Sequence, residues 1–312
     1  MITSVVYLIV GVAFLFFGAD WLVKSAVFFA NRLKISSLVI GLTVVAFGTS
    51  LPELVISLRA VLSEAAPIAI GNVVGSNIAN VGLVLGFSSL IFPITIHFNR
   101  INRDLYFYLF VCIVFIVFLF DGIISRVEGI ALFLGLLLYI WSYIKYKREP
   151  DVDSAAQIGK TGKALILFVL GLIGLYFGAE IFIKGAIELA TILGVSELVI
   201  GMSIVALGTS LPELSTSVVA AFHKEHGISV GNILGSNLFN ILSVIGIVGI
   251  VKPIVSPPEI MKFEIPIMVA FGIVLIPLAL VKQPFSRIYS FLLVAAYLAF
   301  IYGLFLRELR II

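Results

Sequence analysis

One hexapeptide occurs twice, as Gly48-Thr49-Ser50-Leu51-Pro52-Glu53 and as Gly208-Thr209-Ser210-Leu211-Pro212-Glu213. Each copy lies inside a long apolar run. A carboxylate at that depth in a bilayer is costly and marks a functional position by default. Proline has no N–H and blocks the carbonyl four residues back, so Pro52 frees the carbonyl of Gly48 and Pro212 that of Gly208. Freed carbonyls, two hydroxyls and a carboxylate are the ligand set of a hard cation. On a helix, Ala46, Thr49, Ser50, Glu53 and Ser57 share one stripe, and Ala206, Thr209, Ser210, Glu213 and Ser217 repeat it.

A second polar stripe follows each hexapeptide. Asn72, Ser76 and Asn80 are spaced by four, as are Asn232, Ser236 and Asn240. A side-chain amide offers a neutral oxygen ligand and can also tie neighbouring helices. Asn72 and Asn232 are expected to act as ties. Ser76, Asn80, Ser236 and Asn240 lie deeper in their spans and are expected to contact the ion. Two facing glutamates balance one Ca²⁺ or two Na⁺, and neutral oxygens fill the rest of a flexible shell of about 6–8 ligands. Mg²⁺ keeps its waters, and soft metals need Cys, His or Met, which this set lacks. Asp20 with Lys24, and Glu180 with Lys184, have the spacing of structural helix ion pairs.

These residues need elements to hold them at membrane depth. The 312 residues are 61% hydrophobic and 12% charged, against about 25% charged in an ordinary soluble domain. Mean hydropathy is +1.22. The apolar runs have the length of spanning helices and lack the alternation of a β-barrel. The fold expected is an all-α membrane protein of ten transmembrane helices, at about 3–30, 37–62, 68–92, 104–121, 127–146, 162–191, 197–222, 229–251, 261–281 and 287–307. The single Cys112 excludes an intrachain disulfide. His97, His223 and His226 have no zinc or haem spacing. The net charge of +3 reflects loop charges that orient the chain rather than a nucleic-acid partner.

The chain is its own copy at a shift of 160. Of the 19 positions from Ser36 to Leu54, 14 are identical to Ser196–Leu214. Residues 1–146 form one five-helix repeat, 147–161 a polar linker, and 162–312 the second repeat. Residues 5–17 have a counterpart in the second half and no basic flank, so they are read as a mature span rather than a signal peptide. Five spans per repeat is odd, so the second copy crosses the membrane inverted. With both termini outside and the linker cytoplasmic, 12 Lys/Arg fall inside and 5 outside. Inverted repeats with paired broken helices are the mark of a secondary transporter with a midplane site. The zinc motif or nucleophile–base pair of an enzyme is not seen, nor the repeated filters of a channel.

At these residues the chain resembles the sodium/calcium exchanger superfamily, and its prokaryotic members in particular. The marks are GTSLPE followed by GNVVGSNIAN within 36–86, and GTSLPE followed by GNILGSNLFN within 196–246. The resemblance covers essentially the whole chain. It implies Na⁺/Ca²⁺ antiport by alternating access, with the first and sixth spans sliding over a core that holds four cation positions. Glu53 and Glu213 would be the principal Ca²⁺ ligands, joined by the carbonyls of Thr49 and Thr209. The carbonyls of Ala46 and Ala206, with the hydroxyls of Ser50, Ser210, Ser76 and Ser236, would complete flanking Na⁺ positions. Asn80 and Asn240 would sit at the centre. Potassium-dependent relatives carry Asp where this chain has Asn240, which implies K⁺ independence. Ca²⁺/H⁺ antiport is the alternative, since the same glutamates can titrate. Further expectations are no cofactor, no obligate protein partner, and a place in the cell (plasma) membrane with Na⁺ and Ca²⁺ as substrates.

Overall fold

The computed structural model describes residues 1–145, 160–194, 206–281, 283–284 and 286–308. The linker expected at 147–161 lies outside the described residues up to 159, as does the first part of the seventh span, up to residue 205. We number the elements α1 (Ile2–Leu33), α2 (Ser37–Thr49), α3 (Leu51–Leu62), α4 (Ala66–Ile91), α5 (Phe98–Phe118), α6 (Arg126–Lys145), α7 (Thr161–Ile192), α8 (Leu211–Phe222), α9 (His226–Val251), α10 (Glu264–Leu280) and α11 (Arg287–Glu308). Among the described residues, eight helices are long and apolar enough to span a bilayer, and the bent pair α2–α3 makes a ninth. Helix α8 is the described part of the remaining expected span.

Helices α1 and α7 have 32 residues each. At 1.5 Å per residue each is about 48 Å long, against about 30 Å of hydrocarbon, so both must tilt. They run antiparallel along their whole length. Gly11 lies against Phe182, Gly18 against Gly171 and Leu175, and Gly185 against Ser4. A Cβ on Gly18 would stand 2.8 Å from the Leu175 nitrogen. Small residues at such seams let backbones approach, and dispersion holds them where lipid removes the hydrophobic drive.

The inner layer is α4 and α9. In these helices 72% and 89% of the residues in the spanning window are buried, against 28% in α1 and α7. Each changes register midway through a π-turn, at Asn80–Leu85 and Asn240–Ile245. Single π-turns inside α-helices are frequent at functional positions. Helices α5 and α10 pack against α4 and α9, with Tyr108, Phe115, Met268 and Phe271 in the interface core. Cys112 is buried there. A two-residue antiparallel pair, β1 (Ile123–Ile124) and β2 (Ile254–Val255), joins the α5–α6 and α9–α10 connections, with Ile123 opposite Val255.

The two acid–lysine pairs do not behave alike. Lys24 binds Asp20 at 2.7 Å, as its spacing predicts. Asp20 also takes His223 Nε2 at 2.7 Å, which ties α1 to the residue that ends α8. Glu180 does not bind Lys184. It accepts the hydroxyl of Tyr176 at 2.9 Å, and Lys184 lies over the ring of Tyr7. An aromatic ring one helix away competes with a carboxylate for an exposed lysine, because exposed ion pairs gain little.

Candidate cation site

Both hexapeptides break their helices at the same residue and with the same backbone angles, though Ser210 N–H bonds the Leu207 carbonyl, three residues back. Ser50 has φ −84° and ψ 4°, and Ser210 has φ −87° and ψ 4°. The axes of α2 and α3 meet at 41°. Ser50 N–H reaches back to the Ala46 carbonyl at 3.0 Å, and Leu54 N–H resumes at the Ser50 carbonyl at 3.3 Å. Pro52 has no N–H to give, so the Gly48 carbonyl loses its helical donor. Glu53 and Glu213 stand in the first turns of α3 and α8, where the helix dipole favours negative charge.

Close packing brings the halves together. Helix α2 lies on the first half of α9 because Gly231 and Gly235 have no side chains. A Cβ on Gly235 would stand 2.7 Å from the Ala46 Cβ. Thr49 Oγ1 then donates to Asn232 Oδ1 at 3.0 Å and lies 3.3 Å from Ser236 Oγ. The mirror contact joins Ser76 Oγ to Thr209 Oγ1 at 3.4 Å. Among the described residues, a Cβ on Gly71 or Gly75, the counterparts of Gly231 and Gly235, would meet no atom within 4 Å. Their mirror partner stretch begins among residues 195–205, outside the described residues.

The carboxylates converge from the two repeats. Ser50 Oγ donates to Glu213 Oε1 at 3.4 Å, and Ser236 Oγ to the same oxygen at 3.5 Å. Glu53 is tied to the same region through Asn72, which bonds its carbonyl, four residues before Ser76. Thr49, Ser50, Glu53, Ser76, Asn80, Ser210, Glu213, Ser236 and Asn240 are all buried, as is Ala46. Its carbonyl accepts Ser50 N–H and the Thr49 hydroxyl, the latter at 3.3 Å. Ala206 opens the short turn Ala206–Gly208 ahead of Thr209.

Asn72 and Asn232 are ties. Asn72 Nδ2 donates to the Glu53 carbonyl at 3.2 Å and to Ser57 Oγ at 3.0 Å. Asn232 Nδ2 repeats this on the Glu213 carbonyl and Ser217 Oγ, at 3.3 and 3.1 Å. Sequence reasoning passed over Asn77 and Asn237. They lie off the four-residue stripe, yet both are fully interior and bond across the repeats to Asn240 and Asn80. The available signal was the i, i+3 spacing of Asn77–Asn80 and of Asn237–Asn240, which puts each pair on one face.

Among the described residues, several buried oxygens have no hydrogen-bond partner: both of Glu53, Oε2 of Glu213, Oγ of Ser210, and Oδ1 of Asn80 and Asn240. Buried polar atoms are normally satisfied, and a charge without a partner is costly. Five of the six are pure acceptors, which a bound cation can satisfy together. Among the described residues no group of three or more His, Cys, Asp or Glu side chains is placed to hold a metal. The set joins two carboxylates to neutral oxygens, the donor chemistry of a hard cation. A cavity of about 220 Å³ lined by Gly48, Pro52, Leu172, Tyr176 and Pro212 lies between both broken helices and α7.

This fold and site define a helical membrane transporter for cations. The model of the family described as sodium/calcium exchanger protein matches residues 3–145 and again 163–306. The chain is 35% identical to the putative antiporter CaxA of Alkalimonas amylolytica, over 98% of this chain and 99% of that protein. It is 33% identical to the sodium/calcium exchanger MaX1 of Methanosarcina acetivorans, over 96% and 97%. A structure of the sodium-calcium exchanger NCX_Mj soaked with Na⁺ and Ca²⁺ superposes with a TM-score of 0.82 at 34% identity, covering 96% of this chain and 97% of that one. The chain belongs to the sodium/calcium exchanger family.

Proposed function

We propose that this chain is a Na⁺-driven Ca²⁺ antiporter whose single central site is built on Glu53 and Glu213. One observation carries the reading: two buried carboxylates, one from each copy of the hexapeptide, keep three of their four oxygens without a hydrogen-bond donor among the described residues. Relatives named as sodium/calcium exchangers support it. The carbonyls of Ala46, Ala206, Thr49 and Thr209, the hydroxyls of Ser50, Ser210, Ser76 and Ser236, and the amide oxygens of Asn80 and Asn240 complete the shell. Na⁺ and Ca²⁺ compete for the same two charges, so they are carried in turn. With no cation bound, two charges in a low-dielectric interior resist transfer, which couples one flux to the other.

The chain crosses the membrane ten times as two inverted five-helix repeats, with both termini outside the cell and the linker cytoplasmic. Helices α1 and α7 move together over the core, and the cavity beside Pro52 and Pro212 is the way in from the α7 side. Exchange needs no K⁺, since residue 240 is neutral.

The test is Ca²⁺ uptake into proteoliposomes with Na⁺, K⁺ and H⁺ gradients imposed one at a time. A Na⁺ gradient at fixed pH drives uptake, and Glu53→Gln or Glu213→Gln abolishes it. Uptake that follows only the H⁺ gradient replaces this reading with Ca²⁺/H⁺ antiport. Wild-type exchange in either Gln variant sinks the site assignment.

A further inference from the structure

We propose that Asn77 and Asn237 are positioning residues: a crossed amide pair that turns the side-chain oxygens of Asn80 and Asn240 toward the Glu53–Glu213 centre and their N–H groups away from it. The inference rests on the cation site proposed above. It adds a second layer of residues that decides which end of each central amide the ion meets.

The polarity of the Asn77 arm follows from one backbone group. Asn77 Nδ2 donates to the main-chain carbonyl of Asn237 at 3.2 Å. A carbonyl only accepts, so this bond fixes which end of the Asn77 amide is nitrogen. The Asn77 oxygen is then the end that faces Asn240, and it accepts Asn240 Nδ2 at 3.0 Å. With its N–H committed, Asn240 presents its oxygen, which is buried without a partner. The other arm matches: Asn80 Nδ2 donates to Asn237 Oδ1 at 3.0 Å, and the Asn80 oxygen is also buried and unpartnered. Each arm crosses from one repeat to the other, so neither half can set its own amide.

The Asn77 arm has a second acceptor. Met268 Sδ accepts Asn77 Nδ2 at 3.9 Å, and a thioether offers an N–H only an acceptor, so it favours the same polarity. Its repeat counterpart Tyr108, 160 positions earlier, is fully interior, but neither its hydroxyl nor Asn237 Nδ2 has a hydrogen-bond partner among the described residues. An N–H turned toward a cation repels it, and a freely rotating amide loses the preorganisation that orients a ligand. Outer residues that hold ligands in place typically account for about 10–100-fold in metal affinity or activity.

The experiment uses the full chain in proteoliposomes and reads KM for Ca²⁺ and kcat separately under a fixed Na⁺ gradient. Asn77→Ala is expected to raise KM about 10-fold or more, with kcat kept within about two-fold. Asn237→Ala is expected to do the same through Asn80. Because Asn77 acts through Asn240, adding Asn77→Ala to Asn240→Ala is expected to raise KM no further, whereas independent residues multiply their effects. If Asn77→Ala does not insert, Asn77→Ser serves, since its hydroxyl is too short to reach both Asn240 and the Asn237 carbonyl. An unchanged KM, a fall in kcat alone, or multiplying effects in the double variant overturns the assignment. Absence of Na⁺-driven uptake in the wild type instead counts against the antiport reading, so the two failures are told apart.

Discussion

Glu53 and Glu213 are each held by an asparagine that never touches the carboxylate. Asn72 and Asn232 grip the glutamates' own carbonyls and the serines one turn on. Asn232→Ala would leave Ser217 Oγ and the Glu213 carbonyl buried without that donor. The expected loss is about 1–3 kcal/mol of stability, read as a lower melting temperature in detergent. Ca²⁺ protection against melting should persist in this variant and vanish in Glu53→Gln. The glutamates, serines and outer asparagines were legible in the sequence because a 160-residue repeat and a four-residue period both select them. Asn77 and Asn237 were not, because their importance lies in which end of an amide faces which partner. That polarity is set across the interface between repeats and leaves no trace in spacing along either one.

At the scale of elements, hydropathy marked the long helices and proline marked the breaks. Neither reveals the π-turns that begin at Asn80 and Asn240, since a π-turn is a choice of carbonyl rather than of residue type. The α1–α7 seam is a sharper case. Gly11, Gly18, Gly171, Gly178 and Gly185 each stand within 3 Å of a partner helix once a Cβ is added, and this follows only from the antiparallel register. Gly18→Leu is expected to destabilise by about 1–3 kcal/mol through overpacking and to slow exchange. The variant should do so without raising KM for Ca²⁺, since the atoms nearest a Cβ at Gly18 belong to Gly171, Gly174 and Leu175, none of them a proposed ligand. A KM shift as large as that of a site variant would show that the seam shapes the site directly. Glu180 and Lys184 show the limit of local rules: the spacing was right, and a ring on another helix won.

For the whole molecule, the two halves carry matching residues 160 positions apart, yet their links to the long helices differ. Asp20 is tied to His223, whereas the counterparts Glu180 and Ser63 form no such link among the described contacts. Replacing K⁺ with choline on both sides is expected to leave exchange unchanged, and a K⁺ requirement would contradict the reading of Asn240. In a Cys112→Ser background, single cysteines placed near each terminus should react with an impermeant maleimide from outside the cell, and a cysteine in 147–161 should not. The cross-repeat bonds also bear on biosynthesis. Glu53 is made 160 residues before Glu213, which at ordinary translation rates is about 8 to 32 s. Through that interval the first half enters the bilayer carrying Glu53 before Glu213, Ser236 and Asn240 exist. Insertion of the early helices must therefore keep Glu53 near water or the insertion machinery until α9 arrives.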